Sequence, residues 1–177
     1  MGQYYYPIIL DADGKIIVWM QAHMYGNGLK LMEHSFIGNN FVSTFEFALS
    51  SEGPHHMSRV VWAGDYADDE PDKENLYRQC EEYRMIRPEE KDTSRFGFVV
   101  NHTKKQFVDK SKVPSRGGYR LHPLPLLTCE GNGRGGGDYH EKSHEDSTLV
   151  GSWARDVISV EKEAPQGFEE IVFDLVE

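Results

Sequence analysis

Tyr4-Tyr5-Tyr6-Pro7-Ile8-Ile9-Leu10-Asp11-Ala12-Asp13-Gly14-Lys15-Ile16-Ile17-Val18-Trp19-Met20 reads as two aromatic and β-branched runs around a short polar turn. Such runs favour strands, and a turn this short makes the strands antiparallel neighbours. Asp13-Gly14 fits the central pair of a type I′ turn. The remainder of the chain extends this start. Arg59-Val60-Val61-Trp62 is a buried-type strand. Phe96-Gly97-Phe98-Val99-Val100 and Gln106-Phe107-Val108-Asp109 flank a polar turn and predict a second hairpin. Trp153 to Val160 alternates as a strand, and Ile171 to Val176 supplies a last one.

Two helices interrupt the strands. Asn39 or Asn40 is a natural N-cap for a helix running to about Ser50. Its apolar stripe is Phe41, Val42, Phe45 and Leu49, a core pattern. A second helix is predicted over residues 73–84, with Leu76, Cys80 and Tyr83 on one stripe. Leu121-His122-Pro123-Leu124-Pro125-Leu126-Leu127 carries two prolines and reads as an edge strand or extended connection. The strand and helix segments do not alternate as β-α-β units. The expected fold is therefore α+β, a mostly antiparallel sheet with two main helices packed on one face, in a single domain over residues 1–177.

Composition excludes several classes. The formal net charge is −10, which disfavours non-specific nucleic-acid binding, because phosphate neutralisation needs clustered cations. No apolar run reaches the roughly 20 residues of a membrane span. The N-terminus lacks a basic leader, and Tyr6 breaks the myristoylation pattern that Gly2 would begin. Two cysteines, Cys80 and Cys129, without a C-x-x-C, predict neither a disulfide framework nor a cysteine zinc site, and a cytoplasmic setting is expected. The Asp11–Gly14 turn lacks the ligands of a calcium loop. His23, Glu33 and His34 do not have the H-E-x-x-H spacing. No cofactor and no metal is expected.

The segment of greatest interest for function is T-C-E-G-N-G-R-G-G-G-D-Y-H, from Thr128 to His140; between Gly131 and Gly137 only Asn132 and Arg134 are not glycine. Successive N–H groups in such a loop form an anion nest. The expected ligand-binding set is Asn132, Gly133, Arg134, Gly135, Gly136, Asp138, Tyr139 and Arg155, holding an anionic small molecule or nucleotide. The plain alternative is a surface loop. A formal G-x-G-x-x-G is present, but the residues after it have no apolar face, so a dinucleotide fold is rejected; Walker A fails for want of Gly-Lys-Ser/Thr. The basic run at residues 104–120, with Lys104, Lys105, Lys110, Lys112, Arg116 and Arg120, is an anion-site neighbour or a solvated turn.

Asp65, Asp68, Asp69 and Glu70 form an acidic cluster suited to a basic protein partner, or to a solvated loop before a helix. A catalytic reading would use Asp65, Asp138 or Asp156 on a nucleotide or phosphorylated substrate, or Cys129 with His122, His140 or His144. The leading expectation is a non-enzymatic binding protein; the alternatives are an acidic inhibitor or immunity-type protein and an enzyme.

The Met1-Gly2-Gln3-Tyr4-Tyr5 start, Trp62-Ala63-Gly64-Asp65-Tyr66, the glycine run through Tyr139, and Gly151-Ser152-Trp153-Ala154-Arg155-Asp156 resemble a group of small uncharacterised proteins of bacteria and their phages. The resemblance covers most of the chain and carries no activity. A phage association implies an anti-defence role, such as sequestering a nucleotide signal.

Overall fold

The computed structural model describes residues 3–137, 139 and 148–176. The opening stretch forms the expected hairpin, β1 (Tyr5–Leu10) and β2 (Ile16–Trp19). Its turn is not type I′, which needs positive φ at both central residues. Only Gly14 has one, at 79°, and Gly14 donates its N–H to the Asp11 carbonyl. The Asp11 carboxylate accepts the N–H groups of Asp13 and Lys15. This is a type I turn closed by a left-handed glycine, with the register slip beside Leu10 that such a bulge brings.

After α1 (Leu31–His34) comes α2 (Asn40–Leu49), capped as expected by Asn39, whose side chain accepts from the N–H groups of Phe41 and Val42. Phe41, Val42, Phe45 and Leu49 are fully buried. β3 (Ser58–Gly64) follows. The predicted helix over 73–84 shrinks to α3 (Leu76–Gln79) and a 3₁₀ turn, Cys80–Glu82. Arg84–Met85 leaves it as edge strand β4, parallel to β2. β5 (Phe98–Asn101) and β6 (Gln106–Asp109) form the second hairpin.

The two-proline segment is helical: α4 (Pro123–Thr128). Both prolines fall in the first turn, where a missing N–H costs nothing, and the His122 side chain caps the Leu124 N–H. β7 (Cys129–Glu130) enters the glycine run. The expected strand from Trp153 starts only at β8 (Val157–Glu161), because Arg155 takes a positive φ of 67°. The last strand is reduced to β9 (Glu169–Glu170). The tail beyond it is irregular but buries Phe173 and Leu175.

Among the described residues nine strands form one sheet in the order β4-β2-β1-β3-β8-β5-β6-β9, with β7 also on β3. Five pairings are antiparallel; β2–β4, β3–β7 and β6–β9 are parallel. The main core, spanning Tyr5 to Leu175, packs α2 and α4 on one face. A smaller cluster on the other face packs Leu76 and Cys80 against β1, β2 and β3. The two main helices expected on one face are thus one long helix, α2, with short α4 beside it, and α3 lies opposite. Among the described residues no helix is long and apolar enough to cross a membrane.

β3 splits its free edge, holding β8 at Ser58–Arg59 and β7 at Trp62–Ala63. The 151–156 turn fills the fork. Trp153 N–H bonds the Leu127 carbonyl, Arg155 N–H the Val60 carbonyl, and Val60 N–H the Asp156 carbonyl. This wedge sets Arg155 beside the glycine run.

Candidate functional sites: an arginine–carboxylate knot, a cationic cleft and a buried ion pair

Close packing requires glycine at Gly137, at the end of the run, and at Gly151, which faces it, whereas Gly133 and Gly135 are favoured by positive φ of 93° and 72°. A Cβ on Gly137 would lie 2.0 Å from Cys129 Sγ, and one on Gly151 would lie 2.1 Å from the Gly135 carbonyl oxygen. Asn132 and Arg134 stand outward, while Tyr139 is buried and donates its hydroxyl to the Val176 carbonyl. Asp138, His140 and His144 lie outside the described residues.

Arg134 and Arg155 do converge, as expected of a shared anion site, and the anion between them belongs to the protein. Both reach Glu70 Oε1, Arg134 at 3.1 Å. Arg155 also forks onto Glu130, Nε to Oε2 at 2.8 Å and Nη2 to Oε1 at 2.7 Å. Burial would raise the Glu70 pKa, but the two guanidiniums outweigh it and hold it below the usual carboxylate value. Burial disfavours the Arg155 charge, yet Glu130 and Glu70 raise its pKa. Two arginines against two glutamates leave this knot neutral.

The rest of the expected acidic cluster is divided. Asp65 accepts the Tyr4 N–H and Asp69 the Asn75 N–H, both at 3.0 Å, so these two shape the loop into α3. Asp68 is exposed. Asp156 accepts from Asn101 at 2.8 Å and Lys104 at 2.5 Å. The basic run is largely spent on internal partners: Lys104 on Asp156, Lys110 on Glu46, Lys112 on Glu170, and Arg120 on the carbonyls of Lys110 and Val113. Its Lys104 end reaches the 151–156 wedge through Ser152 and Asp156, and Gln106 accepts the Trp153 indole N–H. His34 is a core residue whose ring takes the Trp62 indole N–H on Nε2 and bonds the Gly28 carbonyl through Nδ1. His122 caps α4 and does not pair with Cys129.

Two clefts escaped the sequence reading. Residues 86–96 cross α2 as an extended strap between β4 and β5, pinned where the Thr44 hydroxyl donates to the Glu89 carbonyl at 2.6 Å. On the β4 side lies a cleft of about 700 Å³. Val18, Phe47, Ala48, Met85 and Ile86 give it an apolar wall, Arg84, Arg87 and Lys91 give it cations, and His55 and Glu89 complete the polar side. Lys91 pairs with Glu89 at 3.0 Å and sits 4.4 Å from the centre of the Phe47 ring. The guanidiniums of Arg84 and Arg87 have no carboxylate partner among the described residues. Partial burial, and then the charge of Arg84, lower the His55 pKa, so His55 is a neutral donor or acceptor at neutral pH.

On the other side of the strap lies a cleft of about 530 Å³, lined in part by Ser43, Glu46, Glu90, Thr93 and Lys110. Glu46 is 2% exposed. Its Oε1 is 2.6 Å from Lys110 Nζ, and Oε2 accepts the Thr93 hydroxyl at 2.7 Å. His122 Nε2 stands 2.8 Å from Oε1 but outside hydrogen-bond alignment. Burial pushes the Glu46 pKa up; the charges of His122 and Lys110 and their contacts overcome it and bring it to about 2. Burial lowers the His122 pKa against the pull of Glu46, so at neutral pH Lys110 is the cation that balances the carboxylate. The signal for this network was Glu46 itself, a carboxylate in register with Val42 and Leu49 on the apolar stripe of α2.

Compared with family models, with curated proteins and with solved structures, the chain matches none.

Proposed function

We propose that this is a non-enzymatic binding protein for an anionic small molecule with a planar or apolar body, a nucleotide being the leading class. The ligand seats between α2 and the 86–96 strap. The observation that carries the reading is the pair Arg84 and Arg87, without carboxylate partners among the described residues, on the wall of a half-apolar cleft whose one lining carboxylate, Glu89, is taken by Lys91, in a chain of net charge −10. A phosphate or carboxylate takes bidentate hydrogen bonds from guanidinium groups, and the Phe47 and Ile86 wall takes the ligand body. The volume falls within the range of small-molecule sites, roughly 300–1,000 Å³.

The glycine run supports a second reading of the same chemistry. Arg134 and Arg155 already hold a carboxylate, and a ligand phosphate would bind there by displacing Glu70. Thermal-shift titrations of adenosine mono- and triphosphates and cyclic nucleotides separate the two. A concentration-dependent rise in melting temperature is expected for the natural sequence, by mass action. It should vanish in the Arg84→Ala/Arg87→Ala variant and persist in Arg134→Ala. Loss only in Arg134→Ala would move the ligand to the glycine run. No rise with any of these anions would overturn the proposal.

A further inference from the structure

The cleft on the far side of the strap is built for a different ligand. Lys110 is 8% exposed, and its ammonium has three N–H donors but, among the described residues, only one protein acceptor, Glu46. A nearly buried ammonium with two unused donors needs oxygen atoms from whatever fills the cleft. Glu46 cannot rotate away to meet a ligand, since Oε1 serves Lys110 and Oε2 serves Thr93. Ser43 is 7% exposed, lines the same cleft, and its hydroxyl makes no hydrogen bond among the described residues. At the rim, Glu90 has no partner among the described residues, and Asp92 accepts the Ser94 N–H. The Lys91 charge is engaged by Glu89 and the Phe47 ring on the other side. The cleft therefore offers donors at its floor and uncompensated carboxylate at its mouth.

We propose that this cleft binds a free α-amino acid. Its carboxylate takes the spare Lys110 N–H groups and the Ser43 hydroxyl, and its ammonium meets Glu90 and Asp92. A plain anion would be repelled by the rim, and a plain cation would leave the Lys110 donors unmet, so the zwitterion is the species that satisfies both ends. The site lies across the strap from the arginine cleft and shares the lining residue Lys91 with it.

The test is isothermal titration calorimetry with L-alanine, L-glutamine and L-lysine, each set against propionate and ethylamine, which lack one end of the zwitterion. At least one amino acid should bind about tenfold or more tightly than either truncated probe, since each end supplies a charge-assisted contact. Ser43→Ala and Glu90→Gln leave the buried ion pair intact, and each should weaken that binding about fivefold to tenfold without changing a nucleotide's affinity. Lys110→Met combined with Glu46→Gln, confirmed folded by circular dichroism, should abolish it. The proposal fails if no amino acid binds up to on the order of 10 mM. It also fails if propionate matches its amino acid, or if Ser43→Ala and Glu90→Gln both bind as the natural sequence does.

Discussion

Replacing Lys110 by Met removes the cation that balances Glu46 and leaves a buried carboxylate without its counter-charge. Glu46 has a pKa of about 2 in the fold against an ordinary 4.5. At about 1.4 kcal/mol per pH unit, that difference corresponds to roughly 3 kcal/mol. Breaking one side of a buried ion pair gives a similar figure, about 3–5 kcal/mol. Because the folded pKa is depressed, the contribution is complete above about pH 4.5 and is lost as pH falls toward 2. By the buried-pair figure Lys110→Met should lose about 3 kcal/mol in urea unfolding at pH 7, and the gap to the natural protein should narrow as pH falls from about 4.5 toward 2, where the natural protein protonates Glu46. Adding Glu46→Gln removes the orphaned charge and should recover stability to within about 1–2 kcal/mol of the natural protein. A cost under about 1 kcal/mol at pH 7, or a double variant no better than the single one, would refute this account of the pair.

Four further outcomes are expected. Burial lowers the His34 pKa to about 4, against the Gly28 hydrogen bond and the Glu33 charge. The folded form then binds fewer protons, so stability is complete above about 6.5, is lost as pH falls toward 4, and amounts to roughly 3 kcal/mol; an NMR titration of the ring should show a midpoint near 4. Gly137→Ala should destabilise by about 1–3 kcal/mol by driving a methyl into Cys129 Sγ, and Cys129→Ala in the same chain should return part of that loss in a denaturant melt. Asn39→Ala should cost about 1 kcal/mol, read from the same melts, by uncapping α2. Arg155→Met should cost about 3–5 kcal/mol because Glu130 is 2% exposed, whereas Arg134→Met, at a side chain 44% exposed, should cost under about 1 kcal/mol; a chemical-denaturation series compares them.

Hairpins and α2 were legible because their signals are local. Alternation over Ile16–Trp19 and an asparagine cap before Phe41 need no distant partner. The type I′ reading failed because Asp13-Gly14 occurs equally well with the glycine alone left-handed. Leu121 to Leu127 was misread because prolines that break a helix interior are harmless in its first turn. The predicted helix over 73–84 overran because its later part is held by pairing of Arg84–Met85 with β2, a contact 66 residues away (84 − 18). Arg134 and Arg155 were rightly set together, yet their carboxylate partners, Glu70 and Glu130, lie apart in sequence and come together only through the fork in β3. The arginine cleft was invisible for the same reason: His55, Phe47 and Arg87 meet only because the strap crosses α2.

Amide chemical-shift mapping with a saturating adenosine nucleotide tests the central claim most directly. The account predicts the largest shifts at Phe47, His55, Arg84, Ile86, Arg87 and Lys91, and small ones at Asn132–Gly136. Shifts gathered on the glycine run instead, or none at any residue, would contradict it.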